Sequence, residues 1–203
     1  MFPTKVVAVG RNYEDHAKEL ENPIPEIPVV FWKPSTSVIG PGAPIIYPAQ
    51  TKDLQHEGEL VVVIGKVAKN VAADDAAGSI LGYTIGNDVT ARDLQKSDTQ
   101  WTRGKGFDTF CPIGPAIETE FDPLQGQQIE VKVNGDLRQS GSMSDMIFGV
   151  AELVEFITAF TTLLPGDIIM TGTPAGVGPM EPGDEVEVSI EQLGTLNNPV
   201  VSP

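Results

Sequence analysis

The chain has 203 residues, a length that one domain with a sizeable core accounts for, and its 21 Gly and 17 Pro punctuate it too densely for long helical bundles or coiled coils. Acidic residues outnumber basic ones 28 to 13, and the net charge of −15 disfavours nucleic acid and anionic lipid as partners. One cysteine and two histidines preclude an intramolecular disulfide and are too few for a thiolate or all-imidazole zinc site, which fits a reducing cytoplasm.

The first strand is expected over residues 5–9, an apolar stretch far too brief for a signal-peptide core. A short helix follows over 12–21, ended by Pro23 and Pro25, which cannot continue it. Runs of β-branched residues predict strands over 29–33, 59–66 and 80–89; the longest aliphatic run, 60–64, has the length of a buried strand, not of a membrane span. Further strands are expected over 113–118 and 129–133. Asn134-Gly135, between 129–133 and 136–140, is a two-residue hairpin signal. One long helix is predicted over 145–160, because Met146, Ile147, Val150, Leu153, Val154 and Ile157 recur on one face, with Ser144 as its N-cap. Strands over 167–171 and 185–190 complete the set. Without repeats, low-complexity tracts or a linker, residues 1–203 read as one α+β domain, predominantly β, built as a rolled sheet or barrel with few short helices.

The densest chemical signal is His56-Glu57-Gly58-Glu59. Residues two apart on a strand share a face, so Glu57 and Glu59 can present two carboxylates side by side, an arrangement that a hard divalent cation compensates. An exposed acidic strand start is the competing reading. Asp88, at the end of an apolar strand, offers a third oxygen ligand or else caps a turn; spacing alone does not bring it to Glu57. His16 and Glu19, three apart on the short helix, either form a carboxylate-oriented general base or a surface pair. His56 adjoins the acidic pair and has no catalytic role in this reading. The Gly-rich loop 172–178 lacks the Lys-Ser/Thr pair of a nucleotide site and the helix of a dinucleotide fingerprint; it is a turn, or it approaches a small anion with the Thr173 hydroxyl as donor. No G-x-S-x-G turn is present, and Cys111 reads as inert packing.

Several blocks occur in a telling order: Gly10-Arg11-Asn12-Tyr13 with His16 and Glu19, Phe31-Trp32-Lys33-Pro34, Glu57-x-Glu59-Leu60, and Gly86-Asn87-Asp88 through Arg92 to Gln95. They continue with Lys105-Gly106-Phe107-Asp108 and with Pro165-Gly166-Asp167 through 172–178. From about Lys5 to Asn198 the chain resembles the fumarylacetoacetate hydrolase superfamily, and in size its acylpyruvate hydrolase branch, without an extra N-terminal domain. The resemblance implies a mixed β-roll, a homodimer, and a divalent cation, Mg²⁺ or Mn²⁺ with Ca²⁺ as a substitute, held by Glu57, Glu59 and Asp88. It also implies a mobile lid over 11–25 that closes His16 and Glu19 over a small 2-oxo acid as a catalytic dyad. Lys105 becomes the catalytic lysine, and Arg11, Tyr13, Gln95 and Thr173 the substrate-binding residues. Lys33 is either near the substrate or an ion pair supporting the carboxylates.

The implied activity is hydrolysis of a carbon–carbon bond in a 2,4-dioxo acid to pyruvate and a carboxylic acid. A water activated by His16 attacks the distal carbonyl, and the 2-oxo acid takes up the charge of the broken bond. Oxaloacetate decarboxylation and isomerisation of 2-hydroxyhepta-2,4-diene-1,7-dioate need the same charge sink. A non-catalytic metal-binding or small-acid-binding protein is the reading of another class, against which the His16 and Glu19 pair argues. Two departures from the family pattern stand out: a short stretch between Gln95 and Lys105, and Asn197-Asn198-Pro199 in place of Arg-Asn-Pro. Neither touches the implied metal ligands.

Overall fold

Residues 3–203 are described by a computed structural model. Its centre is a seven-stranded mixed sheet in the order Val29–Lys33, Val6–Gly10, Ile168–Met170, Gly58–Ile64, Ile80–Asn87, Cys111–Glu118 and Val38–Ile39. Every residue of Gly58–Ile64 is buried, which explains its unbroken aliphatic run: a strand covered on both faces shows no polar alternation. Period two is still visible in what each side chain joins. Val7, Val9, Leu60, Val62, Ile64 and Ile169 enter the main core, while Val6, Ala8, Val61, Val63, Ile168 and Met170 form a smaller core on the opposite face.

Against the main face lie the helix Val150–Phe160, which contributes Leu153, Val154 and Ile157, and a five-stranded sheet. That sheet runs in the order Asp136–Ser142, Gln128–Val133, Glu185–Ile190, Gly194–Val201 and Ile45–Ile46. The two sheets approach tightly at Gly58, where a Cβ would meet Val131 Cγ2 at 2.4 Å and Val188 Cγ1 at 2.9 Å. A third, three-stranded sheet of Gly178–Pro179, Leu54–His56 and Thr90–Ala91 lies beside the ends of the central strands. The architecture is a predominantly β roll with few short helices, as the resemblance implies.

The Asn134-Gly135 hairpin forms, with Val133 paired to Asp136. The long helix is shorter than its apolar periodicity suggests, and Ser144 does not cap it. The backbone just before it is already engaged: Asn12 takes the N–H of Ile147 on its carbonyl and that of Phe148 on its side-chain oxygen, each at 2.8 Å. Residues Met143–Asp145 form a separate 3-10 turn capped by Ser142, and the helix starts after Gly149, whose N–H reaches the Glu152 carboxylate at 2.8 Å. The first helix is likewise trimmed, to Glu14–Glu19. Helices at Arg92–Ser97 and Thr102–Lys105 and the strand Gly194–Val201 carry no amphipathic signal that the sequence reading detected.

Candidate active site

Antiparallel pairing of Gly58–Ile64 with Ile80–Asn87 sets Gly58 opposite Asn87, so the residues just before the one strand and just after the other meet. The Asp88 N–H donates to the Glu57 carbonyl at 2.8 Å, and the Asn87 side-chain oxygen accepts from the Glu57 N–H at 2.9 Å. This register, which no sequence spacing encodes, gathers Glu57, Glu59 and Asp88 with ligand atoms within 4.8 Å of one another, all buried.

Three buried cations face the three carboxylates. The Lys105 ammonium lies 2.7 Å from Glu57 and 2.5 Å from Asp88; the Lys33 ammonium lies 2.5 Å from the other Asp88 oxygen; and Arg92 pairs with Glu57. For Lys33 the geometry is thus that of a supporting ion pair. Arg92 received no role from the sequence, yet it also holds Gln55 at 2.8 Å and Gln95 at 2.6 Å through its remaining nitrogens. Its place in the block from Gly86 to Gln95, four residues after Asp88, is all that the sequence offers for it.

Glu59 is the exception in this network: among the described residues its one hydrogen-bond donor is the Gly172 N–H at 2.8 Å. Burial and the like charges of Asp88 and Glu57 push its carboxyl well above the usual carboxylate range. Burial acts on Glu57 in the same direction, but there Lys105 and Arg92 outweigh it and hold the carboxyl well below that range. Lys105 is raised despite its burial, by Asp88 and Glu57. A set of three carboxylates with one lacking a cation partner suits a hard divalent ion, and its all-oxygen chemistry excludes preference for a thiophilic one.

A cavity of about 320 Å³ opens over this cluster. His16, Glu57, Glu59 and Lys105 line it, as do Arg11, Gln95 and Thr173. His16 Nδ1 lies 3.3 Å from Glu19, whose two carboxylate oxygens accept the Gly176 N–H at 3.0 and 3.1 Å. Nε2 is therefore the ring nitrogen left for a ligand. Burial lowers the imidazole pKa and outweighs the pull of Glu57 and Glu19, so the ring is a neutral base at pH 7. The helix carrying both groups is bracketed by two non-glycine residues in left-handed conformation, Arg11 (φ 59°) and Glu21 (φ 54°).

The remaining expected residues divide. Arg11 stacks its guanidinium 5.5 Å over Trp101 at the cavity. Thr173 donates its hydroxyl proton inward, to the Gly58 carbonyl at 2.8 Å. Tyr13 does not border this cavity: it is buried, its hydroxyl 4.0 Å from Met143 Sδ, and it lines a separate space of about 250 Å³ with Glu14, Asp15 and Asp145.

Residues 5–201 match the family described as Fumarylacetoacetate (FAA) hydrolase C-terminal. The chain belongs to the fumarylacetoacetate hydrolase family. Among the family's members, a protein of Mycobacterium tuberculosis is 54% identical over 99% of this chain and 77% of its own length. Human mitochondrial oxaloacetate tautomerase FAHD2A is 42% identical over 98% of this chain and 67% of its own. The crystal structure of 5-carboxymethyl-2-hydroxymuconate delta-isomerase from Mycobacterium smegmatis superposes with a TM-score of 0.94, at 52% identity, covering 100% of this chain and 80% of that one. Among the described residues, no helix is long and apolar enough to cross a membrane.

Proposed function

We propose that this chain is a divalent-cation-dependent enzyme that moves a proton on the carbon beside the 2-oxo group of a short 2-oxo dicarboxylic acid, interconverting its keto and enol forms or its double-bond isomers. The observation that carries this reading is the neutral, buried His16 imidazole on the wall of the same cavity that exposes Lys105, Glu57 and Glu59. Mg²⁺ or Mn²⁺ held by Glu57, Glu59 and Asp88 would supply a Lewis acid that polarises the 2-oxo oxygen.

The chain's own groups carry the rest of the reaction. His16 takes the proton from carbon and returns it to the substrate oxygen, or to the far carbon of the shifted double bond, and Glu19 orients the ring and stabilises the imidazolium in between. Lys105, held charged by Asp88 and Glu57, adds positive potential where negative charge develops on the substrate oxygen. Residues 11–25 serve as the lid, with Glu19 latched on the Gly176 N–H excluding bulk water. Two features support a dicarboxylic substrate. Arg11 and Lys96 border the cavity without a carboxylate in salt-bridge range among the described residues, whereas Asp98 beside them is paired with Arg103. The two relatives named above for an activity also bear the names of carboxylate substrates, oxaloacetate and a carboxymethyl hydroxymuconate.

Hydrolysis of a 2,4-dioxo acid to pyruvate and a carboxylic acid is the second reading, favoured by the carboxylate behind His16, which suits activation of a water as well as of a carbon acid. The assay is NMR in D₂O with added Mg²⁺ or Mn²⁺, on oxaloacetate and on acetylpyruvate. Accelerated deuterium uptake at the carbon beside the oxo group, without a new acid, is the expected result. Acetate with pyruvate would establish hydrolysis instead, and pyruvate from oxaloacetate alone would establish decarboxylation. Inertness of the cation-loaded protein towards both would remove hydrolysis of acetylpyruvate and proton transfer or decarboxylation on oxaloacetate, and leave the interconversion of double-bond isomers of a longer 2-oxo dicarboxylic acid. The homodimer implied by the family resemblance is part of this proposal, and sedimentation equilibrium tests it.

A further inference from the structure

We infer that Gln139 is a positioning residue of this site: its one buried amide clamps the loop carrying Thr173 onto the strand that carries the acidic pair. The inference rests on the cavity being the active site and goes beyond it, because Gln139 does not border the cavity. Gln139 is fully buried in the strand Asp136–Ser142, on the second sheet. Its Oε1 accepts the Gly58 N–H at 3.2 Å and faces His56 Nδ1 at 2.9 Å. Its Nε2 donates to Thr173 Oγ1 at 2.8 Å and to the Pro174 carbonyl at 2.7 Å. All four hydrogen-bonding positions of the amide are used.

The backbone partners settle which end of the amide is which. A peptide N–H only donates and a peptide carbonyl only accepts, so the oxygen faces Gly58 and the nitrogen faces Pro174. Two consequences follow. His56 must carry a proton on Nδ1, while its Nε2 is buried and has no partner among the described residues. Thr173 must accept from Gln139, so its own proton goes to the Gly58 carbonyl. Gly58, the residue between Glu57 and Glu59, is thereby held by both its N–H and its carbonyl.

The loop is seated on the same strand independently of this side chain. A Cβ on Gly176 would meet the Arg138 carbonyl oxygen at 2.2 Å, and one on Gly141 would meet Pro174 at 2.6 Å. Gly176 also supplies the N–H that latches Glu19. The packing sets where the loop lies, and the Gln139 amide sets how Thr173 and Gly58 are presented to the cavity.

The test compares wild type with Gln139→Met, which keeps the volume and removes the four hydrogen bonds, and Gln139→Glu, which keeps the acceptor side. The probe is oxalate, a small dicarboxylate whose adjacent oxygens mimic an enolised 2-oxo acid, titrated in saturating Mg²⁺. Gln139→Met is expected to weaken oxalate binding at least tenfold while the thermal midpoint at saturating Mg²⁺ still shows a folded protein. In ¹⁵N-¹H spectra of wild type the His56 ring proton is expected on Nδ1 and protected from exchange, and lost from that state in Gln139→Met. If Gln139→Met does not fold, Gln139→Glu carries the oxalate comparison, with the same tenfold loss expected. Wild-type affinity in the folded variant, or a wild-type His56 proton on Nε2, overturns the inference. Failure of wild type itself to bind oxalate counts against the active-site reading, and the position of the His56 proton then decides the role of Gln139 alone.

Discussion

Glu59 makes the binding of a divalent cation measurable as a proton. It is buried, it has among the described residues one N–H donor and no cation within salt-bridge range, and it lies within 4.8 Å of two further carboxylates. At that separation or less and an effective dielectric constant near 20, each like charge opposes its ionisation by at least about 3.5 kcal/mol, of which the buried cations return a part. Its pKa is raised, so the metal-free protein loses stability as pH climbs from about 4.3, where the unfolded chain ionises, to the pKa of the folded one. A coordinating carboxylate must be ionised, so below the raised pKa of Glu59 each cation bound expels its proton. One proton exchanged means about a tenfold gain in affinity per pH unit, or about 1.4 kcal/mol. Calorimetric titration with Mg²⁺ or Mn²⁺ in two buffers of different ionisation enthalpy gives the proton count directly. About one proton is expected in wild type and none in Glu59→Gln, whose affinity falls at least tenfold and loses its pH dependence. Binding that is tight, pH-independent and free of proton release in wild type would refute the electrostatic argument.

His16→Ala is expected to lower turnover by about 100-fold or more while cation affinity, measured by the same titration, changes less than threefold. Because burial lowers the His16 pKa and the protonated ring is the inactive one, the acid limb of kcat/KM falls below pH 6.5, the ordinary value for histidine; a limb above it would contradict a buried base. Asp167 gathers the N–H groups of Thr4, Lys5 and Leu164, the Thr4 hydroxyl and the Lys5 ammonium, and against the effect of burial these hold its carboxyl below the usual range. Its contribution is therefore present above about pH 3.9 and lost as pH falls through its folded-state pKa, and Asp167→Ala costs about 3 kcal/mol in a urea titration at pH 7; an unchanged midpoint is the refuting result. Gly58→Ala forces a methyl into Val131 and Val188, and about 1–3 kcal/mol of destabilisation is expected, with a weakened cation site because the residue lies between two ligands. Wild-type stability together with wild-type cation affinity would show that the sheets can part there freely.

Local chemistry made much of the fold legible. The strands Val29–Lys33 and Glu185–Ile190 lie where their β-branched runs predict, and Asn134-Gly135 turns where its backbone preference requires. What stayed hidden depends on distant partners. The periodicity of 145–160 continues one turn and more before Val150, but Asn12, 136 residues from Phe148, takes the Phe148 N–H that a helix begun at 145 would have given to the Ser144 carbonyl. The strand Gly194–Val201 contains Asn197-Asn198-Pro199, a loop-like run; it pairs nonetheless because Asn198 spends its amide on the Gly40 and Ala43 carbonyls and Pro199 sits opposite Glu185.

The site shows the same division at finer scale. Glu57 and Glu59 share a face by strand period alone, and His16 meets Glu19 by helix period alone. Asp88 reaches them through the register of two strands, a property of the pairing and not of either segment. The neutralising shell is further from the sequence still. Lys33, Arg92 and Lys105 come from a sheet edge and two short helices, and in a chain of net charge −15 nothing local marks them as the buried ones. Their burial is legible only backwards, from the carboxylates: ionised groups cannot be enclosed without compensation, so a sequence that encloses them must supply cations from elsewhere. Among the described residues Glu59 has no cation within salt-bridge range, and that asymmetry among three otherwise similar carboxylates leaves one whose charge burial and its neighbours suppress until an added cation compensates it.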